Sequence, residues 1–472
     1  MASSVITSPT YDPKSYSEGL ANEYVAGTKA ILDGKLTKNT ATTSALSTLS
    51  AALSAFQGTL SSLVNSTTSV QATSATFSNT AVATATATAK AVPGTYSFYV
   101  QQLATAGQVS YNVNDSVATN AGAMNVVLAD GSTFQVDLAN ADNNMDGVLS
   151  AKEVAAAINS AANNGSRVTA STMTVNGQTK LLLTSAKTGA DNAVASIDVS
   201  GLGDAGLQAS LSSQSVVRAA SNAIVRVGDA NGEAVEQASN TFKIVDDVSF
   251  TVTQAQAVGA APVTMTVGAD TKGTAANVQS FVTAYNTLLA AFNTVTAAGD
   301  HTPTSSTDTS PTSADAGLHN DAGVLNLRER LNSALRAATG GVSLINFGIT
   351  AGKDGTLSLK TELLERTVAN NPGALDSLFG RAGIGVDSGV LGAMNKLTTA
   401  WTSSAGGYIS ARRDTAAREK ADIDDRQASL QNQFDNAYKR YLAQFTALQQ
   451  LQSSMTSTSN MFTALFSSDS SS

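Results

Sequence analysis

Two stretches near opposite ends of the chain carry the apolar spacing of a helical seam, and each needs a partner. From Tyr408 to Phe466 there is neither Gly nor Pro, directly after the pair Gly406-Gly407. Leu430, Phe434, Tyr438, Tyr441, Phe445, Leu448, Leu451 and Met455 follow one another by three or four residues, so they share one stripe of an α-helix. Within that stripe Phe434, Tyr441, Leu448 and Met455 repeat every seven residues, the interval of a coiled coil. The other faces are polar, and upstream Arg418 with Asp422, Lys420 with Asp424 and Asp422 with Arg426 form opposite-charge pairs one turn apart. Near the other terminus Leu46, Leu49, Leu53, Phe56, Leu60 and Leu63 step by alternating threes and fours, a two-position heptad seam. Tyr16, Leu20, Tyr24, Ile31, Leu32 and Leu36 extend it less regularly, weakened by Gly19, Gly27 and Gly34. Both termini therefore read as amphipathic helices that pair as an antiparallel stalk, in preference to an ordinary helical bundle.

Between them the period falls from 3.6 to 2. Ala81–Ala91 alternates Ala with Val82, Thr84, Thr86, Thr88 and Lys90; Pro93-Gly94 signals a turn; Tyr96, Phe98 and Val100 alternate on the return. This predicts a β-hairpin. Further strands are expected at 110–113, 125–128, 133–138, 167–175 and 180–184, with a turn at Asn176-Gly177. A helix over 150–161 is expected to open on a capping box, Ser150 with Glu153. A second β set at 224–227, 242–245, 249–254 and 263–267 is expected to pack with the hairpin. Helices follow at 275–298, 325–338, 363–369 and 372–379, with a Thr/Ser/Asp/Pro-rich loop from Gly299 to Gly317.

The fold class is thus multidomain α+β: an antiparallel coiled-coil or helical stalk from both termini with nested β-rich head domains. The expected domains are 1–72, N-terminal stalk helices; 73–105 and 222–274, two parts of an inner β domain; 106–221, an inserted β-rich head with one helix; 275–407, a helical domain; and 408–472, the C-terminal coiled-coil helix. The termini are expected at one end and the β insert at the other.

Composition narrows the function. Of 472 residues only 5% are aromatic and 14% charged, and no cysteine is present, which excludes disulfides, thiol catalysis and Cys-based metal sites. The formal net charge of −8 and the lack of a basic cluster interleaved with aromatics argue against nucleic acid. No apolar run reaches membrane-spanning length, and the N-terminus lacks the basic and apolar regions of a Sec signal peptide. No nucleophile–base–acid constellation marks an enzyme. His301 and His319 flank the Ser/Thr-rich loop without evident metal partners and read as solvated, and Trp401 reads as a packing anchor.

The sharpest local chemistry lies between Asp142 and Glu153. Asp142, Asn144 and Asp146 stand at positions one, three and five of an EF-hand-like spacing, Gly147 at six, Val148 offering a carbonyl at seven, and Glu153 at twelve. That oxygen set suits Ca²⁺. The expected preceding element is a strand, not the helix of an EF-hand, so an Asn/Asp-rich turn capping the next helix is the competing reading. Gly201-Leu-Gly203-Asp-Ala-Gly206 has the GxGxxG form, but no helix is evident after it, which argues against a dinucleotide site.

In this order the motifs resemble those of the bacterial flagellar cap family, flagellar hook-associated protein 2. The resemblance rests on Leu53-Ser-Ala-Phe56, Pro93-Gly94-Thr-Tyr-Ser-Phe98 with Val100-Gln-Gln-Leu-Ala104, Ala155-Ala-Ala-Ile158-Asn159, and Leu182 to Asn192. It continues through Phe281-Val-Thr-Ala-Tyr285-Asn286, Phe347-Gly-Ile-Thr350, Asp354-Gly-Thr-Leu357 and Gln433-Phe434. Asp246-Asp247-Val248 departs from it, where the family often has Gly before a strand. The resemblance implies a non-enzymatic cap: a homo-oligomeric plate, with a pentamer the first expectation, that retains exported flagellin at the growing filament tip and promotes its insertion. It also implies contacts with hook-filament junction proteins, export by the flagellar type III apparatus without a cleaved signal peptide, a cytoplasmic chaperone on the C-terminal helix, and in some members adhesion to mucin or other glycan. No cofactor is required on this reading. Another axial flagellar component and a glycan-binding surface adhesin are the alternatives.

Overall fold

The computed structural model describes residues 12–65, 68–118, 121–300, 313–336, 342–371, 373–380 and 388–468. The chain divides into two compact units: Met1–Ser66 with Ala275–Ser472, and Thr67–Thr274. His301 and most of the Ser/Thr-rich loop lie outside the described residues.

The first unit is helical. It contains α1 (Pro13–Leu63), and the chain then passes through the second unit, which holds α2 (Ala151–Ser160) and α3 (Ala205–Ser212). The first unit resumes at Ala275 within α4 (Thr271–Thr296) and continues with α5 (Ala322–Arg336), α6 (Thr361–Asn370), α7 (Ala374–Phe379), α8 (Gly389–Thr402) and α9 (Tyr408–Ser468). At 61 residues, α9 is about 90 Å long at 1.5 Å per residue. The start of α1 is fixed locally. Asp12 caps it by accepting the N–H groups of Lys14 and Ser15 at 3.1 and 3.3 Å, and Pro13 occupies the first turn, where its missing N–H costs nothing. The bond from Lys14 foremost holds the Asp12 carboxyl below the usual carboxylate range.

The second unit is built from antiparallel sheets. Its strands are β1 (Ala72–Phe77), β2 (Ala83–Ala87), β3 (Gly94–Gln102), β4 (Gln108–Tyr111), β5 (Ser116–Val117), β6 (Ala123–Leu128), β7 (Thr133–Asp137), β8 (Val148–Leu149), β9 (Val168–Val175), β10 (Gln178–Ser185), β11 (Val194–Asp198), β12 (Gln214–Arg218), β13 (Ala223–Val227), β14 (Ala234–Gln237), β15 (Thr241–Phe242), β16 (Val248–Val252) and β17 (Val263–Asp270). A last pair, β18 (Ile349–Ala351) with β19 (Leu357–Leu359), belongs to the helical unit.

Two separate cores divide the second unit. One gathers Phe77, Phe98, Phe242, Phe250 and Met265 between the sheet β1-β17-β3-β13-β14 and the sheet β15-β16-β2. Phe98 and Phe250 meet at 4.8 Å between ring centroids, and Phe242 stacks on Phe250 at 5.5 Å. The other core, with Met124, Phe134, Leu149, Ile158, Leu181 and Leu207, lies among β12-β4-β10-β9, β11-β6-β7, α2 and α3. Asn176 and Gly177, both with positive φ (51° and 78°), join β9 to β10 as the sequence predicts.

The predicted hairpin at residues 81–100 does not form. β2 pairs with β16, Val248 opposite Ala87, while β3 lies in the other sheet between β17 and β13. Pro93-Gly94 therefore carries the chain from one sheet to its facing partner. Two local signals, alternation and a turn dipeptide, are shared by a hairpin and by such a crossover. The expected packing of the 224–267 strands against this segment is what the structure shows. A helix does follow the GxGxxG string, contrary to expectation: α3, capped by Asp204, whose side chain accepts the N–H of Leu207. The string is a turn against β6: a Cβ on Gly201 would stand 2.4 Å from the Ala123 carbonyl oxygen.

Candidate functional site

In the helical unit α1 and α9 run antiparallel along much of their length. Tyr16 meets Phe445 at 6.0 Å between rings. Further along, Arg440 sits 6.0 Å over the Tyr24 ring. Val25, Leu32 and Leu430 then form a buried cluster with Phe434 against it. Asn39 Nδ2 donates to the Ala416 carbonyl at 2.9 Å, and Arg413 donates to Ser47 Oγ at 3.3 Å. The pairing of the termini into a stalk is thus observed, with a different alignment from the one expected.

The buried residues of α1 include Val25, Leu32, Asn39, Leu46, Leu53 and Leu60, which share one heptad position from end to end. In α9 the buried set is Ile409, Ala416, Ile423, Leu430 and Ala437, again seven apart. The seam inferred from Phe434, Tyr441, Leu448 and Met455 is offset from it by four residues. Phe434 and Tyr441 flank the seam half-buried, while Leu448 and Met455 are 43% and 64% exposed. Large side chains favour the flank, because two of the five seam positions are Ala, Ala416 and Ala437.

The partner of Leu46, Leu49, Leu53, Phe56, Leu60 and Leu63 also differs from expectation. All six are buried, and the lower part of the seam packs inside the helical unit. Phe56 lies against Phe281 and Tyr285 of α4 at 6.3 and 6.4 Å, and Gln57 hydrogen-bonds to Thr399 and Thr402 of α8. α8 escaped the sequence reading, since Gly389 and Gly392 weaken its pattern. Trp401 on α8 is 7% exposed, with Arg412 5.1 Å over its ring, and is the packing anchor expected of it. His319 is not freely solvated: it is half-buried and its Nδ1 lies 3.1 Å from the Thr296 carbonyl.

Asn39 was not singled out from the sequence. It is 6% exposed in a seam otherwise apolar, and a single buried amide at this heptad position fixes register at some cost in stability. The frame running from Val25 through Leu60 was the signal that could have found it. The charge pairs on α9 are exposed: Lys420 with Asp424 at 2.7 Å and Arg426 with Asp422 at 2.9 Å. Arg418 turns to Thr415 instead of Asp422. Exposed pairs of this kind contribute at most about 1 kcal/mol each.

In the β unit, the segment from Asp142 to Glu153 follows β7 and runs through β8 into the first turn of α2. The capping box is formed: Glu153 N–H donates to Ser150 Oγ, and Ser150 N–H donates back to Glu153 Oε2 at 2.9 Å. These bonds, that from the Ser150 backbone foremost, hold the Glu153 carboxyl below the usual range. Asp142 Oδ2 accepts the Gly147 N–H at 2.9 Å, Asn144 Oδ1 accepts from Asp146, and Asp146 Oδ1 accepts from Val148. Gly147 takes the positive φ of 80° that the bend requires. Among the described residues no three His, Cys, Asp or Glu side chains are gathered closely enough to form a metal-holding group, and no helix is long and apolar enough to cross a membrane.

Comparison with known proteins bears on the whole chain. Residues 220–457 match the model of the flagellar hook-associated protein 2 C-terminus, and residues 10–107 that of its N-terminus. The lateral flagellar hook-associated protein 2 of Vibrio parahaemolyticus is 30% identical over 386 residues, 80% of this chain and 83% of that one. The flagellar hook-associated protein 2 of Escherichia coli K12 is 29% identical over 452 residues, 92% of this chain and 91% of that one. The crystal structure of the D1, D2 and D3 domains of the flagellar cap protein from Escherichia coli is similar with a TM-score of 0.55 at 25% identity, over 80% of this chain and 99% of that one. Matched at both ends and along most of its length, this chain belongs to the flagellar hook-associated protein 2 family, the flagellar cap proteins.

Proposed function

We propose that this protein caps the growing flagellar filament, as a plate of identical subunits that retains exported flagellin and promotes its folding and insertion. Beside family membership, the observation that carries this reading is the apolar surface left on the stalk. Leu20, Tyr24 and Ile31 of α1 are 43%, 59% and 63% exposed, and Leu451, Met461 and Phe462 of α9 are 57%, 65% and 58% exposed. Large exposed apolar side chains along two paired helices suit contacts with further protein, here other copies and the filament end.

The finer assignments follow the same reading. Five copies are the working stoichiometry, and flagellin and the hook-filament junction proteins are the neighbours. Export runs through the flagellar type III apparatus without a cleaved signal, and the exposed end of α9 is the chaperone site before export. Host mucin or glycan is a ligand for the β-rich domains. The domain division at 1–72, 73–105, 106–221, 222–274, 275–407 and 408–472 is proposed as the functional one, with the terminal helices as legs and the β domains as the plate.

Deleting Gln431–Ser472 tests it. The deletion removes Phe434, Ala437 and Tyr441 from the stalk and spares every strand of the β unit. Cells carrying it are expected to release unpolymerised flagellin, while the purified protein keeps its β-rich circular dichroism and a cooperative melt. Because the chaperone site is removed too, export of the truncated protein is measured separately in the medium. Exported truncated protein together with filaments of normal length would refute the role given to the legs.

A further inference from the structure

The capping role makes no use of a pocket on the helical unit, where α5, α8 and the first turn of α9 meet. It encloses about 380 Å³, within the size range of ligand pockets. Trp401 forms its floor with Leu327 and Leu397, and Tyr408 stands beside Trp401 at 5.4 Å between ring centroids. Trp401 is nearly covered, whereas Tyr408 is 59% exposed and walls the opening. The rim is cationic, lined by Arg330, Lys396 and Arg412. We propose that this pocket binds an acidic peptide segment of a partner protein. One large apolar side chain of that segment lies on Trp401, and the carboxylates flanking it reach Arg330 and Lys396.

The three cations are not alike. The Arg412 guanidinium lies 5.1 Å over the Trp401 ring, and its Nη1 donates to Asp321 Oδ2 at 2.7 Å. Gly323 leaves room for it, since a Cβ there would stand 2.5 Å from Arg412 Nη2. The other oxygen of Asp321 accepts the Val324 N–H at 2.9 Å, so this group is held from two elements. The charge of Arg412 is therefore answered inside the unit. That of Arg330 and Lys396 is not: among the described residues neither side chain makes an ion pair or hydrogen bond. Both are exposed, and both offer charge-assisted donors, Arg330 as a planar fork that fits a carboxylate through two bonds.

A lone cation in water needs no partner. Here two of them edge an aromatic floor, and Trp, Tyr and Arg are the side chains that carry most of the binding energy at protein interfaces. A free inorganic anion would leave Trp401 and Leu327 without a contact. A nucleotide base could stack on the same rings, but its polyanionic strand would meet a chain of net charge −8. A short acidic peptide brings one or two charges, matched to the two free cations, and an apolar group matched to the floor.

Trp401 is the single tryptophan of the chain, so its emission reports on the floor of the pocket without a label. The test is a fluorescence titration of the full-length protein with the acetylated, amidated tripeptide Asp-Phe-Asp. A saturable change is expected, with a dissociation constant on the order of 10⁻⁴–10⁻³ M, at the weak end of the affinity scale. The neutral tripeptide Asn-Phe-Asn, and Asp-Gly-Asp without the apolar side chain, should each bind at least about fivefold more weakly. Arg330→Ala and Lys396→Ala should each weaken Asp-Phe-Asp by about two- to fivefold, and the double variant Arg330→Glu with Lys396→Glu by at least about tenfold. Both positions are exposed, so the melts of these variants should match the parent. No emission change at about 10 mM peptide would overturn the proposal. So would parental affinity in the double variant, or affinity for Asn-Phe-Asn equal to that for Asp-Phe-Asp. Binding of AMP as tight as that of Asp-Phe-Asp would reassign the pocket to nucleotides and overturn it as well.

Discussion

Leu46–Leu63 on α1 and Leu448–Met455 on α9 are both helical runs with apolar residues at three- and four-residue intervals, and they meet opposite fates. The first is buried throughout, Leu46, Leu49, Leu53 and Leu60 having no exposure at all. The second is exposed along its length, from Leu448 at 43% to Met455 at 64%. Spacing defines a face; whether that face is covered depends on what the rest of the chain places opposite it. α4 and α8 stand opposite the first. Opposite the second, α1 has run out, because Tyr16 near its start already lies against Phe445.

Hydrogen exchange should show the contrast at its largest. Amides of 46–63 are expected to open only with the unit as a whole, a global stability of about 5–15 kcal/mol for ordinary domains. Those of 448–462 should exchange near the rate of a fraying helix in the free protein. Comparable protection in both runs of a monomeric sample would break the comparison. Phe56→Ala comes next. It empties a site packed against Phe281 and Tyr285 and is expected to cost about 3–5 kcal/mol of the helical unit's stability in denaturant melts, whereas Met455→Ala should stay within about 0.5 kcal/mol. A large loss from Met455→Ala in dilute solution would mean that its face is already occupied.

Asn39→Ala sharpens the same contrast at the middle of the stalk. Losing the buried bond to Ala416 should cost about 1 kcal/mol, and with the register device gone, exchange between Val25 and Leu36 should accelerate more than at Leu46–Leu63. An effect of similar size lies in the β unit. Ser150→Ala removes half of the capping box and should cost about 1 kcal/mol. Because the folded-state pKa of Glu153 is depressed, its contribution is present above the ordinary glutamate pKa and disappears as pH falls through the folded value. Glu153→Gln should flatten that acid limb in pH-dependent melts while leaving neutral-pH stability nearly unchanged; an unaltered limb would assign it to other carboxylates.

What could be read from the residues alone was what short-range chemistry decides. The Ser150–Glu153 box, the Asn176-Gly177 turn and the helicity of both termini each depend on neighbours within a few positions. Apart from the helices α3 and α8, whose glycines mask their pattern, the errors concern partners. Val248 faces Ala87 across a long stretch of chain, and no local pattern distinguishes that pairing from the hairpin expected at Pro93-Gly94. The α9 seam was misplaced because Ala416 and Ala437 bury as well as Leu but weigh little in a search for large side chains. At the acidic loop the oxygen spacing is plain from Asp142 to Glu153, while only the structure shows those oxygens accepting N–H groups of the loop itself.

The hydrogen bond from Asn39 to Ala416 joins residues 377 positions apart, and this separation sets a timetable. Chains are synthesised at about 5–20 residues per second, so α1 leaves the ribosome roughly 20–75 s before the stretch it must embrace. Through that interval the β unit can complete itself, since all its strands lie between the two halves of the stalk. α1 cannot, and Val25, Leu32 and Asn39 stay uncovered beside Leu20, Tyr24 and Ile31. α1 is thus made well before the helix that covers it, and the cell must keep its apolar face out of trouble for that interval.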